Sequence, residues 1–203
     1  MDRREALKLS LFASAGLVAG SRSVHAAQCE GDGTPMQFVP KKPADAQANV
    51  NDIEKYAKCP YCGMDRKQYH HSRMLVQYSD DLADGTCSLH CAAISLSLNV
   101  DREPKALWVG DNAAAGDVKP LVEVDKATFL IGSKIPGVMT ANSKVAYGGE
   151  DAAKAAQASN GGELAKFDQA LLVAYTDMSK DVSRIRKNRA ERRRKMMEAQ
   201  QKG

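Results

Sequence analysis

The sequence has no apolar run long enough to cross a bilayer. Its apolar stretch near the start, Leu9 to Ala19, falls far short of the about 20 residues a spanning helix needs, and no second stretch is longer. Other signatures are missing as well. There is no Gly-rich phosphate loop, no Gly-x-Ser-x-Gly, and no carboxylate pairing beyond scattered acidic residues, which argues against nucleotide-dependent and serine-hydrolase chemistry. No internal repeat is present, so a solenoid is excluded. Cysteine and histidine are scarce, at five and four residues. Their distribution is uneven, and that unevenness is the main signal in the chain.

The first residues, MDRREALKLSLFASAGLVAGSRSVHAAQCE, run from basic to apolar to small side chains. That layout predicts an export signal over residues 1–27, and Arg3 and Arg4 give it a twin-arginine form. Cleavage after Ala26 or Ala27 leaves Cys29 near a new N-terminus, in a mature protein expected in the periplasm, soluble or peripherally associated with the membrane. Gln28 stands where lipoprotein signals carry a small residue, which argues against a lipid on Cys29. His25 leaves with the signal. The remaining chain, about 175 residues, suffices for one ordinary domain or two small lobes.

Residues 28–54 are rich in Pro, Gly, Asn and Asp without periodicity and read as a flexible lead-in. Beyond it, SRMLVQYSD alternates like a half-buried strand, DLADGT supplies an Asp-Gly turn, and CSLHCAAISLSLN reads as a helix. KALWVGD, KPLVEV and ATFLIGS are short strands. EDAAKAAQASN is a helix stopped by Gly161 and Gly162, and a last helix runs from about Leu164 into the basic tail. Strands with two or three appended helices make the fold class α+β, with a core domain over 55–178 and a basic helical tail over 179–203.

The stretch KCPYCGMDRKQYHH (58–71) concentrates soft ligands. Pro60 and Gly63 impose a tight turn that aims the thiols of Cys59 and Cys62 at one point. A second pair, Cys87 and Cys91, is spaced four apart on the expected helix, so both thiols share a face, with His90 beside them. Three chemistries fit these thiols. Four cysteines can close a structural Zn(II) site. An exporting compartment also permits disulfides, although five cysteines leave at least one thiol over. Thiolates with a thioether select Cu(I), and Met64, two residues after Cys62, tips the balance toward copper. His70 and His71 are neighbours on an extended segment, so at most one faces a metal, and each reads first as a surface residue. Met74 reads as core, Trp108 as a core anchor, and Met178, Met196 and Met197 as helix residues without a ligand role.

The string Cys-Pro-Tyr-Cys-Gly-Met resembles the Cys-x-x-Cys-Gly-Met signature of the NosL family, the accessory copper proteins of nitrous oxide reductase assembly. The similarity continues through Trp108 in LWVGD, IGS at 131–133, Met139, AYGG at 146–149, EDAAKAAQ, and NGGELAKFDQAL at 160–171, covering roughly residues 55 to 175. The resemblance implies small sheets packed with helices, related to the organomercurial lyase scaffold. It further implies an extracytoplasmic location and a single Cu(I) held for delivery to a copper enzyme or its maturation machinery. Carried over by position, Cys59, Cys62, Met64 and Met139 are the ligands. Cys87, His90 and Cys91 are added from spacing alone, since relatives carry an Asp- and Phe-rich segment where this chain has CSLHC. Many relatives are lipoproteins; this chain has no convincing lipidation box. The expectation is a metal carrier, not an enzyme. The alternatives are a Zn(II) interaction module, a thiol-dependent enzyme of organomercurial lyase type, and, more weakly, a thiol oxidoreductase.

After Ser179, ten Lys or Arg face three acidic residues, an excess larger than the net +4 of the whole chain. The basic character therefore belongs to the tail, and the body is acidic. Nucleic acid is not an expected partner of an exported protein. The tail suits an anionic membrane surface or an acidic partner, but its apolar stripe of Val182, Ile185, Ala190 and Met196 is weak, which favours a plain solvated helix.

Overall fold

The computed structural model describes residues 35–201; the expected export signal and Cys29 lie outside the described residues. Two antiparallel sheets carry the fold. The larger joins β1 (Met74–Tyr78), β2 (Ala83–Thr86), β3 (Pro104–Gly110) and β4 (Leu121–Glu123) in the order β2-β1-β3-β4. The smaller joins β5 (Thr128–Ile131), β6 (Lys144–Tyr147) and β7 (Glu163–Ala165) in the order β6-β5-β7. A single parallel bridge, Asp111 to Ala146, connects one sheet to the next. Four α-helices accompany them among the described residues: α1 (Asp52–Lys55), α2 (Leu89–Leu98), α3 (Glu150–Asn160) and α4 (Phe167–Gln201). This is the α+β architecture expected from the sequence.

The main core forms where α2 and the first half of α4 cover the sheets. Met74, Val76 and Tyr78 of β1 pack there with Leu89, Ala92 and Ala93 of α2, Phe129 of β5, and Ala170 and Ala174 of α4. Small alanines on the facing sides let the two helices approach closely. The Tyr175 hydroxyl crosses the interface to donate to the Ala93 carbonyl at 3.1 Å.

β1 is buried along its whole length, not on alternate positions as its sequence pattern suggests. The reason lies in the lead-in. Ala48 of the lead-in and Tyr56 just beyond it cover the opposite face of the strand, packing with Leu75 and Ala83 and with half-buried Trp108 at the margin. Gln77 on that face donates to the Asp45 carbonyl at 3.0 Å. Part of the segment read as a lead-in is thus a structural layer, and Asp52 within it is buried.

Other differences are local. The Asp-Gly of DLADGT lies inside β2, not in a turn; the reversal comes earlier, at Asp81, whose φ is 61°. Gly85 is required there because a Cβ would fall 2.4 Å from Tyr56 Cβ and 2.8 Å from the Arg66 guanidinium. Strands β6 and β7 have weak sequence signals and arise from pairing with the buried strand β5. Gly161, at φ 68°, ends α3 as expected. Helix α4 spans 35 residues, about 50 Å at 1.5 Å per residue. Its last buried residue is Asp181, and residues from 186 onward are exposed. None of the described helices is long and apolar enough to cross a membrane.

Candidate metal centre

The turn at 59–64 is closed by backbone. The Cys59 amide donates to the Met64 carbonyl and the Gly63 amide to the Cys59 carbonyl, both at 2.9 Å. Gly63 sits at φ 76°, a left-handed conformation that glycine adopts without steric cost. A bridge and a 3.0 Å ion pair between Lys58 and Asp65 clamp the base of the turn. Cys59 is thereby turned inward and buried, while Cys62 stays half-buried near the rim.

Arg66 anchors the turn to the body. Its guanidinium is fully buried and donates to the carbonyls of Asp52, Tyr56, Met74 and Thr86, and to Asp52 Oδ2 at 2.7 Å. Arg73 meets the same carboxylate with two further bonds, 2.9 and 3.0 Å. One buried carboxylate thus ties α1, the motif and β1 together, with its charge compensated by two guanidinium groups.

The second thiol pair enters from β2 and α2. Cys87 precedes the helix instead of lying on it, because Ser88 is the N-cap. Its carbonyl accepts from the Ser72 hydroxyl at 2.9 Å. Cys91 is in the first turn of α2, with its amide on the Ser88 carbonyl. The result still converges: Cys87 Sγ lies 3.4 Å from Cys62 Sγ and 3.8 Å from Cys91 Sγ, and all four sulfurs fall within 4.8 Å of one another.

These spacings suit a soft cation. Metal–sulfur bonds of about 2.3 Å in a tetrahedron set sulfur–sulfur edges of about 3.8 Å. Half-buried Met64 and Met139 pack against the same cluster, with Val138, Tyr61 and Tyr69. Met139 holds a φ of 62°, unusual for a non-glycine residue. Of the residues expected to act as ligands, the structure therefore brings together the four cysteines and sets both methionines beside them.

His90 goes elsewhere. It is buried with Nδ1 3.6 Å from Asp181 Oδ2 on α4, and both atoms are without a hydrogen bond. It is not among the four converging groups. A helical step of 100° separates it from Cys91 and turns it toward α4. His70 and His71 lie in a turn, not a strand. His70 Nδ1 accepts from the Lys119 amide at 3.1 Å, and neither ring joins the cluster.

Charge within the cluster is unevenly held. Cys62, Cys87 and Cys91 can all donate to Cys59, which holds its thiol well below the ordinary thiol range. The same contacts, with Cys59 first, push Cys91 up. The Cys62 thiol is also lowered, so the thiolate form is favoured on the two motif cysteines, and the raised thiols of Cys87 and Cys91 would have to release protons to bind a metal.

Sequence reading missed the polar support behind the turn. Tyr61, between the two motif cysteines, donates to Asp84 Oδ2 at 2.5 Å, and Ser95 of α2 donates to the same oxygen at 2.7 Å. Tyr78 meets Ser95 at 2.6 Å. Burial raises the Asp84 carboxyl above its usual range despite these donors. Asp84 follows an unremarkable Leu-Ala pair, so no sequence pattern distinguishes it from a surface aspartate.

The sequence model of the NosL family matches residues 49–171. Among solved structures, the copper chaperone NosL from Shewanella denitrificans is similar at 23% identity with a TM-score of 0.50; the match covers 62% of this chain and 95% of that one. No curated protein matches the sequence.

Proposed function

Because the chain belongs to the NosL family, we propose that it is an exported Cu(I) carrier that delivers the ion to a copper enzyme or to the machinery that assembles one. The observation that carries this reading is the convergence of four cysteine sulfurs, one of them half-exposed, with two methionines packed against them. Buried Cys59, Cys87 and Cys91 retain the ion. Cys62 near the rim is where an incoming sulfur ligand begins exchange, so transfer needs no free ion in solution.

The name of the structural relative, a copper chaperone, supports copper as cargo. Family resemblance points to nitrous oxide reductase as the recipient, and the residues 1–27 support a periplasmic location. The role is that of a carrier, with no bond of a substrate made or broken. The exposed basic end of α4 carries the charge that contact with an anionic membrane surface would need.

A second reading is favoured by one observation. Sulfur contacts of 3.4 and 3.8 Å, with all four sulfurs within 4.8 Å of one another, also suit a Zn(II) clasp that only holds the turn to α2. Anaerobic titration of the reduced protein with Cu(I) and with Zn(II), against competing chelators, separates the two. The carrier reading expects one tight equivalent of Cu(I), weakened by Cys59→Ser and by Met64→Leu. Tight Zn(II), loose Cu(I) and no effect of Met64→Leu would replace it with the clasp. Cys91→Ser then tells whether the helix thiol belongs to the copper shell.

A further inference from the structure

Beside the metal turn lies a cavity of about 630 Å³ that the metal chemistry does not use. Its walls are residues 37–42, the end of α1 with the following chain to Tyr61, and the start of β2. Phe38, Val39, Pro40, Tyr56, Pro60 and Tyr61 give it an apolar lining. Its size falls in the range of sites that enclose a small molecule or a few peptide side chains.

The margin is basic. Lys41, Lys42, Lys55 and Lys58 line it, against Glu54 and the buried, hydrogen-bonded Asp84. Lys55 is paired with Asp45 and Lys58 with Asp65. Lys41 bonds only a carbonyl, that of Met36, and no carboxylate among the described residues pairs with Lys41 or Lys42. Two adjacent exposed ammonium groups thus stand on one wall of the apolar groove, and the exposed Glu54 is the one carboxylate of the lining that faces solvent. A complementary occupant carries carboxylates next to an apolar side chain, the acids meeting Lys41 and Lys42.

Position supplies the second part of the argument. Pro60 and Tyr61 belong both to the groove and to the Cys59–Cys62 turn. Tyr61 packs on the sulfur cluster, lines the groove, and bonds Asp84, which in turn holds Ser95 one helical turn beyond Cys91. An occupant pressing on Tyr61 therefore acts on the segment between two of the four thiols.

We propose that this groove docks an acidic, apolar-centred segment of the protein with which the metal is exchanged, and that contact with Tyr61 opens the turn at Cys62. The inference rests on the carrier reading for its second half only. The groove's charge and lining stand without copper.

The test uses the full chain, metal-free, labelled with 15N, and two probe peptides. They are acetyl-Asp-Glu-Phe-Leu-Glu-Asp-amide and its basic counterpart acetyl-Lys-Arg-Phe-Leu-Arg-Lys-amide. The acidic peptide is expected to shift amides of residues 38–42, 54–61 and 83–85, and the basic one to leave them in place. Lys41→Glu with Lys42→Glu, both exposed and so compatible with folding, should weaken the acidic peptide by about tenfold. With Cu(I) loaded, the same peptide should speed transfer to a chelator in wild type but not in Tyr61→Phe. Equal shifts with both peptides, or none, overturn the groove. Groove amides that shift with protein concentration alone assign it to a second copy and overturn the proposal. Shifts without faster transfer overturn its link to metal exchange. Because the peptide arm needs no metal, failure of copper binding remains distinguishable from failure of docking.

Discussion

Cys62 Sγ lies 3.4 Å from Cys87 Sγ, and Cys62 is the only half-exposed sulfur of the converging four. This contact joins a thiol that solvent can reach to one that it cannot. The Cys62 thiolate should therefore attack a small disulfide such as oxidised glutathione, displacing one reduced glutathione, and Cys87 should resolve the mixed disulfide, releasing the second. In a Cys29→Ser background, peptide mapping should find Cys62 joined to Cys87 with Cys59 and Cys91 free, and the product should not take up Cu(I). Prior metal loading should protect both thiols. Unchanged copper uptake after oxidation would show that this pair lies outside the metal shell.

Asp52 is the common partner of Arg66 and Arg73, all three buried. Replacing it with Ala strands two guanidinium groups away from water. The expected loss is about 3–5 kcal/mol in urea unfolding. Lys58→Ala, which breaks the solvent-screened pair with Asp65, should cost far less. Similar losses for the two variants would mean that the buried triad does not organise the motif.

Burial raises the Asp84 carboxyl above its usual value of 3.8, with the Tyr61 and Ser95 hydroxyls opposing. The folded pKa exceeds the unfolded one, so the neutral acid contributes stability that is fully present below pH 3.8 and lost as pH rises through the folded pKa. Asp84→Asn removes this titration. Its unfolding midpoint relative to wild type should rise with pH above 3.8 and then level off. A difference that stays flat across that range would contradict a raised carboxyl.

Beyond Asp181, α4 continues as an exposed helix in which Arg186, Arg189 and Arg193 lie on the same side as Ile185, Met196 and Met197 at helical spacing. Deleting residues 182–203 should release the protein from vesicles containing anionic lipid at low salt. Binding of the intact chain should fall as salt rises, because screening shortens the reach of surface charge. Equal binding by intact and truncated chains would leave the basic end as a solvated helix.

The family and the fold class were legible in the sequence because each depends on local pattern. Cys-x-x-Cys-Gly-Met encodes its own turn: Gly63 takes a positive φ and the backbone closes between Cys59 and Met64. The α3 stop at Gly161 and the length of α4 follow from composition in the same way. Tertiary contact alone decided the rest. The convergence of Cys87 and Cys91 on the motif needed β2 to pair with β1 and α2 to start at Leu89, which no spacing rule contains. His90 and Cys91 are adjacent in sequence, yet a 100° helical step sends one toward Asp181 and the other to the sulfurs. The lead-in became a layer over β1 because Asp52 found two arginines, Arg66 and Arg73. Short-range order is written in neighbouring residues; which buried groups meet depends on packing and charge compensation across the whole chain.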